Sequence, residues 1–228
     1  MFDFDYARDR MIEAHVIRRG VTEPRLIGAL RQVPREAFVG HGLREFAYED
    51  TALSIGEGQT ISQPFIVALM IEQAGIAADD VILEIGTGSG YAAAVASRLA
   101  RQVYTIERIS SLAREAEERF QGLGFDNIHV RIGDGTRGWP EAVPFVAILV
   151  AAGGPSVPQT LKEQLVIGGR LILPVGSEDE QRLVRITRTG AATFEELDLG
   201  GVCFVPLIGE EGWRESPMGT LSPARSLP

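Results

Sequence analysis

The stretch Val81-Ile82-Leu83-Glu84-Ile85-Gly86-Thr87-Gly88-Ser89-Gly90-Tyr91 carries residues whose types and spacing can do chemistry. An apolar run entering Gly-x-Gly-x-Gly and leaving into a helical pattern makes a turn whose backbone can approach a ligand closely. Two cofactor classes use such a turn. The dinucleotide fingerprint, Gly-x-Gly-x-x-Gly, requires its third glycine where this chain has Tyr91. Here the third glycine, Gly90, comes one residue early, and Glu84 stands two residues before Gly86. That arrangement suits S-adenosyl-L-methionine, which has no pyrophosphate to seat but carries an ammonium that wants a carboxylate nearby. About 20 residues further on, Val103-Tyr104-Thr105-Ile106-Glu107 ends in an acid able to accept both ribose hydroxyls. Gly133-Asp134-Gly135 follows, where Asp134 can accept from an adenine amino group. Glu84, Gly86, Thr87, Gly88, Ser89, Gly90, Glu107, Asp134 and Gly135 are therefore the candidate cofactor residues. The competing interpretation is ordinary turn chemistry, and acids at the ends of successive strands weigh against it.

These residues need a scaffold, and the patterning supplies one. From Val81 onward, strand and helix alternate: strands at 81–85, 102–106, 128–132, 145–150 and 170–175, with helices at 91–100, 110–123 and 159–165 between them. Ser110 is the expected N-cap of the second of these helices. Alternation of this kind means a mostly parallel sheet with helices on both faces. After Pro174 the texture turns hairpin-like, with strands expected at 182–187, 193–197 and 202–207 extending the sheet in antiparallel fashion. Upstream, helical spacing is expected at 5–20 and 23–33, where Pro34 stops it. A glycine-rich irregular stretch, 53–64, precedes a helix from Pro64 to about Ala74. One α/β domain is expected over 1–213: a helical cover and substrate loop at 1–75, and a cofactor-binding core with C-terminal strands at 76–213. The Ser-, Pro- and Gly-containing tail, 214–228, is expected to be poorly ordered.

Composition narrows the function. The chain has 228 residues, 45% hydrophobic, with 22 basic against 31 acidic side chains and a formal charge of −9. That balance excludes a general nucleic-acid binder, which needs clustered Lys and Arg. The single cysteine, Cys203, excludes an internal disulfide framework and a multi-cysteine zinc site, and is expected in the core of a strand. His15, His41 and His129 show no metal spacing, so no metal is expected. Trp139 and Trp213 are expected to pack a lid or tail. The charged start, Met1 to Arg10, lacks the apolar segment of a secretory leader, and the longest uncharged stretch, 142–161, is broken by prolines and glycines. A cytoplasmic protein without membrane contact is expected, its oligomeric state left open.

At this point the sequence resembles the protein-L-isoaspartate (D-aspartate) O-methyltransferases. The likeness runs from about Val33 to Trp213. It includes Val33-Pro34-Arg35-Glu36-Ala37-Phe38-Val39, the 55–64 loop Ile-Gly-Glu-Gly-Gln-Thr-Ile-Ser-Gln-Pro, Leu83 to Tyr91 and Gly133-Asp134-Gly135. Residues 168–176 and Phe204-Val205-Pro206-Leu207 complete it. The glycine motif is shared by many methyltransferases, whereas Thr60 to Pro64 and Val205-Pro206-Leu207 are more restricted. The resemblance implies a Rossmann-like class I methyltransferase fold with about seven strands, and Ser62 as the residue marked active. It implies an isoaspartyl protein or peptide seated between Thr60-Ile61-Ser62 and Val205-Pro206. It further implies a product, S-adenosyl-L-homocysteine, and an ester that collapses to a succinimide and reopens partly as normal aspartate.

The chemistry fits these residues. A carboxylate acceptor with a pKa near 4 is already ionised, so no general base is needed. A closed pocket that aligns oxygen, methyl and sulfur supplies most of what is required. Ser62 can hold the carboxylate through one hydrogen bond. The alternative for Ser62 is a capping role before the Pro64 helix. Residues 151–155, Ala-Ala-Gly-Gly-Pro, lack the Asn or Asp, prolines and aromatic that amine methyltransferases place after the fourth strand. Two departures from the family pattern stand out. Val146 replaces an Asp, and Ala151 replaces a Thr, Ser or Gly. A packing substitution explains Val146; a lost polar contact behind the site would instead leave a weaker enzyme or a non-catalytic cofactor-binding member. A methyltransferase for another carboxylate is the third alternative.

Overall fold

The computed structural model describes residues 2–177 and 179–214, so the expectation for the tail lies, Arg214 apart, outside the described residues. Helix α1 (Phe4–Met11) runs on through a π-helical turn, Ile12–Val16, and a 3-10 turn, Ile17–Arg19, in place of one regular helix. α2 (Pro24–Gln32) follows, with Pro24 in its first turn and the Glu23 carboxylate accepting from Leu26 N–H. Residues 53–61, expected to be irregular, form a hairpin of β1 (Leu53–Gly56) and β2 (Gln59–Ile61). Its turn residues Glu57 and Gly58 both have positive φ, 52° and 69°, as a type I′ turn requires. α3 (Pro64–Ala74) then leads into the main sheet.

That sheet contains β3 (Val81–Ile85), β4 (Gln102–Glu107), β5 (Ile128–Ile132), β6 (Phe145–Val150), β7 (Leu165–Gly176), β8 (Gln181–Arg188) and β9 (Phe194–Val202). The strand order is β5-β4-β3-β6-β7-β8-β9, parallel as far as β7 and antiparallel thereafter. α4 (Tyr91–Ser97) and α5 (Ser110–Gly122) connect the first three of these strands, and α6 (Gln159–Glu163) precedes β7. Ser110 is not the N-cap of α5: Ile109 is, and its N–H donates to Glu107 Oε1 at 2.9 Å.

Side-chain alternation along the strands builds a core on each face. Ile82, Val103, Ala147 and Ile172 pack under the helical cover, with Leu26, Leu30, Ile71 and Val95. Leu83, Ile85, Ile106, Ile148 and Leu171 face the other way, with Leu161 and Leu207. The C-terminal strands differ from expectation. One strand, β9, replaces the two expected at 193–197 and 202–207, because a bulge opposite Leu183 and Val184 carries it through Gly200 and Gly201. The chain then leaves the sheet, so Cys203 is exposed and not a core residue. Trp139 packs edge-on against Tyr104, and Trp213 Nε1 donates to Gly153 O at 3.0 Å. No helix among the described residues is long and apolar enough to cross a membrane.

Candidate active site

The chain crosses the sheet outward from β3 to β4 and β5, then returns to β6 on the other side of β3. Such a reversal opens a crevice beyond the C-terminal strand ends. A cleft lies there, walled by the turn after β3, the end of β4, Gly135, the loop after β6, β2 and residues 205–208.

β3 and β4 pair so that Glu84 stands directly beside Thr105. Thr105 Oγ1 lies 2.6 Å from Glu84 Oε2 and 2.6 Å from Thr87 Oγ1, so the Thr87 hydroxyl ties the glycine turn to β4. Burial pushes the Glu84 carboxyl up to about 8. The bond from Thr105 opposes that rise, the negative charge of Glu107 adds to it, and the Ala93 N–H again opposes it. A buried acid of this kind is mostly neutral at pH 7 and gains from an arriving cation. Glu107 accepts from Gly88 N–H through Oε2 and from Ile109 N–H through Oε1, both at 2.9 Å. Each oxygen keeps a lone pair.

Glu84, Gly86, Thr87, Gly88, Ser89, Glu107 and Gly135 line the cleft. A Cβ on Gly135 would fall 2.2 Å from Ile85 Cγ2, so only glycine lets this strand end approach the cleft wall. Gly90 and Asp134 are not on the wall. Gly90 has φ 91°, and a Cβ there would meet Phe120 Cζ at 2.6 Å, so its glycine seats α5 against the turn. The Asp134 carboxylate, expected to meet an adenine, is held by neighbouring residues. Its Oδ1 accepts from Thr136 N–H at 2.8 Å and from Thr136 Oγ1 at 2.7 Å, and its Oδ2 from Glu210 N–H at 2.8 Å.

Thr60, Ile61, Ser62, Val205 and Pro206 also line the cleft, although the two segments lie at opposite ends of the sequence. The second segment is pinned through the loop after β6: Gly153 N–H donates to Val205 O, and Leu207 N–H to Gly153 O, both at 2.8 Å. A second opening shares Thr60, Ser62, Ala151 and Val205 with the first and continues along Phe65, Leu69, Leu199, Val202 and Phe204. Ser62 thus sits in the wall between the two. Its hydroxyl makes no hydrogen bond to another described residue, and the capping alternative is filled by Asp50, whose Oδ1 accepts from Phe65 N–H at 3.1 Å. Nothing in the sequence marked Asp50, because its partner is a backbone amide on another element.

The hairpin reaches across the cofactor side, where Ser111 Oγ donates to Glu57 Oε1 at 2.8 Å. Ala151 stands at the junction of the two openings. Val146 does not: it is near the start of β6, about 16 Å of extended strand from Ala151, at the end of the sheet away from the cleft. Val146 therefore makes no direct contact with the cleft. No cluster of His, Cys, Asp and Glu among the described residues could hold a metal ion. His129 instead bonds Gln102 at 2.6 Å and stacks on Tyr104.

The sequence model of the protein-L-isoaspartate(D-aspartate) O-methyltransferase family (PCMT) matches residues 7–212. A protein-L-isoaspartate O-methyltransferase of Brucella anthropi is 53% identical over 214 residues, covering 93% of this chain and 98% of the relative. One from Pelotomaculum thermopropionicum is 55% identical over 208 residues, 91% of each chain. Among solved structures, a protein-L-isoaspartate O-methyltransferase superposes with a TM-score of 0.82 at 29% identity, over 90% of this chain and 67% of that one. A Plasmodium falciparum chain in complex with S-adenosyl-L-homocysteine shares the fold, with a TM-score of 0.76 at 23% identity, over 91% of this chain and 99% of that one. With a family model matching residues 7–212 and relatives more than 50% identical over nearly the whole of each chain, the chain belongs to the protein-L-isoaspartate (D-aspartate) O-methyltransferase family.

Proposed function

We propose that this protein moves a methyl group from S-adenosyl-L-methionine to the free carboxylate of L-isoaspartyl residues in damaged proteins and peptides. The observation that carries the site assignment is the Ser62 hydroxyl, without a hydrogen bond to another described residue in the wall shared by the two openings. The cleft fits the cofactor: Glu84 is a buried acid that gains from a cation, and Glu107 retains acceptor capacity for two hydroxyls. Glu84 would receive the amino-acid ammonium, Glu107 the ribose, and the backbone of Gly86, Gly88 and Gly135 the flat faces between. When bound, the cofactor supplies an electrophilic methyl on a sulfonium.

The remaining work falls to this chain. Ser62 donates to one carboxylate oxygen, which aims the other oxygen. Val205 and Pro206 close the far side and exclude water, so the attacking anion keeps little hydration to shed. No residue needs to take a proton, because the acceptor arrives ionised. Leu26, Leu30 and Ile71 of the helical cover share one apolar cluster with the sheet, which supports reading 1–213 as one domain. We place the protein in the cytoplasm, in keeping with its lone cysteine.

The test is to incubate pure protein with methyl-labelled S-adenosyl-L-methionine and two peptides that differ only in isoaspartyl against aspartyl linkage. Base-labile label on the isoaspartyl peptide alone is expected. Label on both peptides, or on neither while calorimetry shows cofactor bound, overturns the reading.

A further inference from the structure

Arg35 is among the largest fully buried side chains in the protein, at 0% exposure, and it has no carboxylate within ion-pair distance among the described residues. A buried cation without a counter-ion is an expensive way to fill space. What it does there is geometric. Its Nε donates to Ala47 O at 2.7 Å and its Nη2 to Ser62 O at 2.8 Å. Its guanidinium carbon lies 4.7 Å from the centroid of the Tyr91 ring, at the residue that follows the glycine turn and lines the cofactor cleft. Nη1 and the Tyr91 hydroxyl are both buried without a well-formed hydrogen bond, although the two side chains interact with one another. An apolar residue would leave no such orphan, so the retained donors are the two that reach the carbonyls.

We propose that Arg35 is a positioning residue for methyl transfer, a planar fork that sets the Ser62 peptide plane and fixes it relative to the glycine turn. The inference rests on the reading of Ser62 as the acceptor-holding residue. Holding the Ser62 carbonyl anchors the peptide plane next to its Cα and so narrows the directions in which the Cα–Cβ bond and the hydroxyl can stand. Asp50 holds the same segment from its other end by accepting from Phe65 N–H. Between them these two bonds restrain the loop against turning Ser62 out of the wall. A guanidinium suits this role because it is flat, rigid and stacks on a ring, while a lysine ammonium is a single point on a flexible stem. Burial pushes the pKa of Arg35 down, yet arginine stays charged at any working pH.

The test uses the full chain carrying Arg35→Lys, Arg35→Gln, Ser62→Ala and each Arg35 change combined with Ser62→Ala. Arg35→Gln removes the buried charge, so it guards against a lysine variant that fails to fold. For each protein, cofactor affinity and binding stoichiometry are taken by calorimetry, and kcat and KM for an isoaspartyl peptide are expressed per cofactor-binding site. Loss of an oriented hydrogen bond at a reacting group predicts about a tenfold fall in peptide kcat/KM for either Arg35 variant, with cofactor affinity held within about threefold. In the Ser62→Ala background the same change should cost less than about threefold, because interacting residues are not additive. A merely structural role would lower the stoichiometry and leave kcat/KM per site unchanged, which overturns the proposal. An undiminished Arg35 effect in the Ser62→Ala background also overturns it. If Ser62→Ala alone retains wild-type kcat/KM, the reading of Ser62 fails and the proposal with it.

Discussion

Cofactor binding should expel a proton, and the group responsible is Glu84. Its carboxyl is pushed up to about 8, mainly by burial, so about 0.9 of it is protonated at pH 7 in the free protein. An ammonium placed beside it favours the carboxylate. If binding returns the group to its ordinary value of 4.5, almost the whole of that proton leaves. The affinity for S-adenosyl-L-methionine should then rise with pH, by about 20-fold between pH 6 and 7.5, and level off as pH passes the free-state value. The stability contribution has the opposite slope. A carboxyl whose folded pKa is raised contributes fully below about pH 4.5 and loses that contribution as pH rises through about 8, so cofactor should raise the melting temperature more at pH 8 than at pH 6. Calorimetric titrations at pH 7 in buffers of differing ionisation enthalpy count the released protons directly. Glu84→Gln, isosteric and without a titrating proton, should abolish the release and flatten the pH profile. A wild-type count below about 0.2, or an undiminished count in Glu84→Gln, would refute the assignment of the ammonium to Glu84.

Three further outcomes are expected. Gly90→Ala forces a side chain into a backbone at φ 91° and against the Phe120 ring, and should cost about 2–4 kcal/mol in urea unfolding. Glu107→Gln keeps one acceptor but replaces a charged one, and should weaken cofactor binding about 10-fold or more by calorimetry while leaving the fold's circular dichroism unchanged. Amide exchange across β1 and β2 should slow when cofactor and peptide bind together, since the Glu57–Ser111 bond already lays this hairpin over the cofactor side. Ser111→Ala should speed exchange there in the free protein.

The alternation of β3 to β6 with their helices was legible because Phe145–Val150 is apolar throughout and Val81–Ile85 is apolar but for Glu84, the pattern of strands covered on both faces. The hairpin was not, since four- and three-residue strands around an unremarkable Glu-Gly turn give too little periodicity. Glycines misled at the other end. Gly168 and Gly169 hid the first five residues of β7, and Gly200 and Gly201 suggested a break that a bulge absorbs. Within the site, Glu84 and Glu107 could be found because an acid at a strand end beside a glycine turn has a recognised use. Ser62, Val205 and Pro206 came through the family likeness. Asp134 lies off the cleft wall because its carboxylate accepts from Thr136 and Glu210, a tertiary arrangement that spacing does not encode. Arg35 and Asp50 bond to main-chain atoms 12 to 27 residues away, and no residue pattern signals a backbone partner.

The two sides of the proposed acceptor wall come from residues 60–62 and 205–206, whereas the proposed cofactor cradle is drawn from 84–135. Closing a contact between positions so far apart in the chain is slow compared with local strand and helix formation. During synthesis, the cradle's residues leave the ribosome well before Val205 does. A nascent or truncated chain ending short of that point carries every cradle residue and only half of the acceptor wall. Completion of the cleft in this way waits for residues 205–206 to join the fold, after the strands that carry the glycine turn.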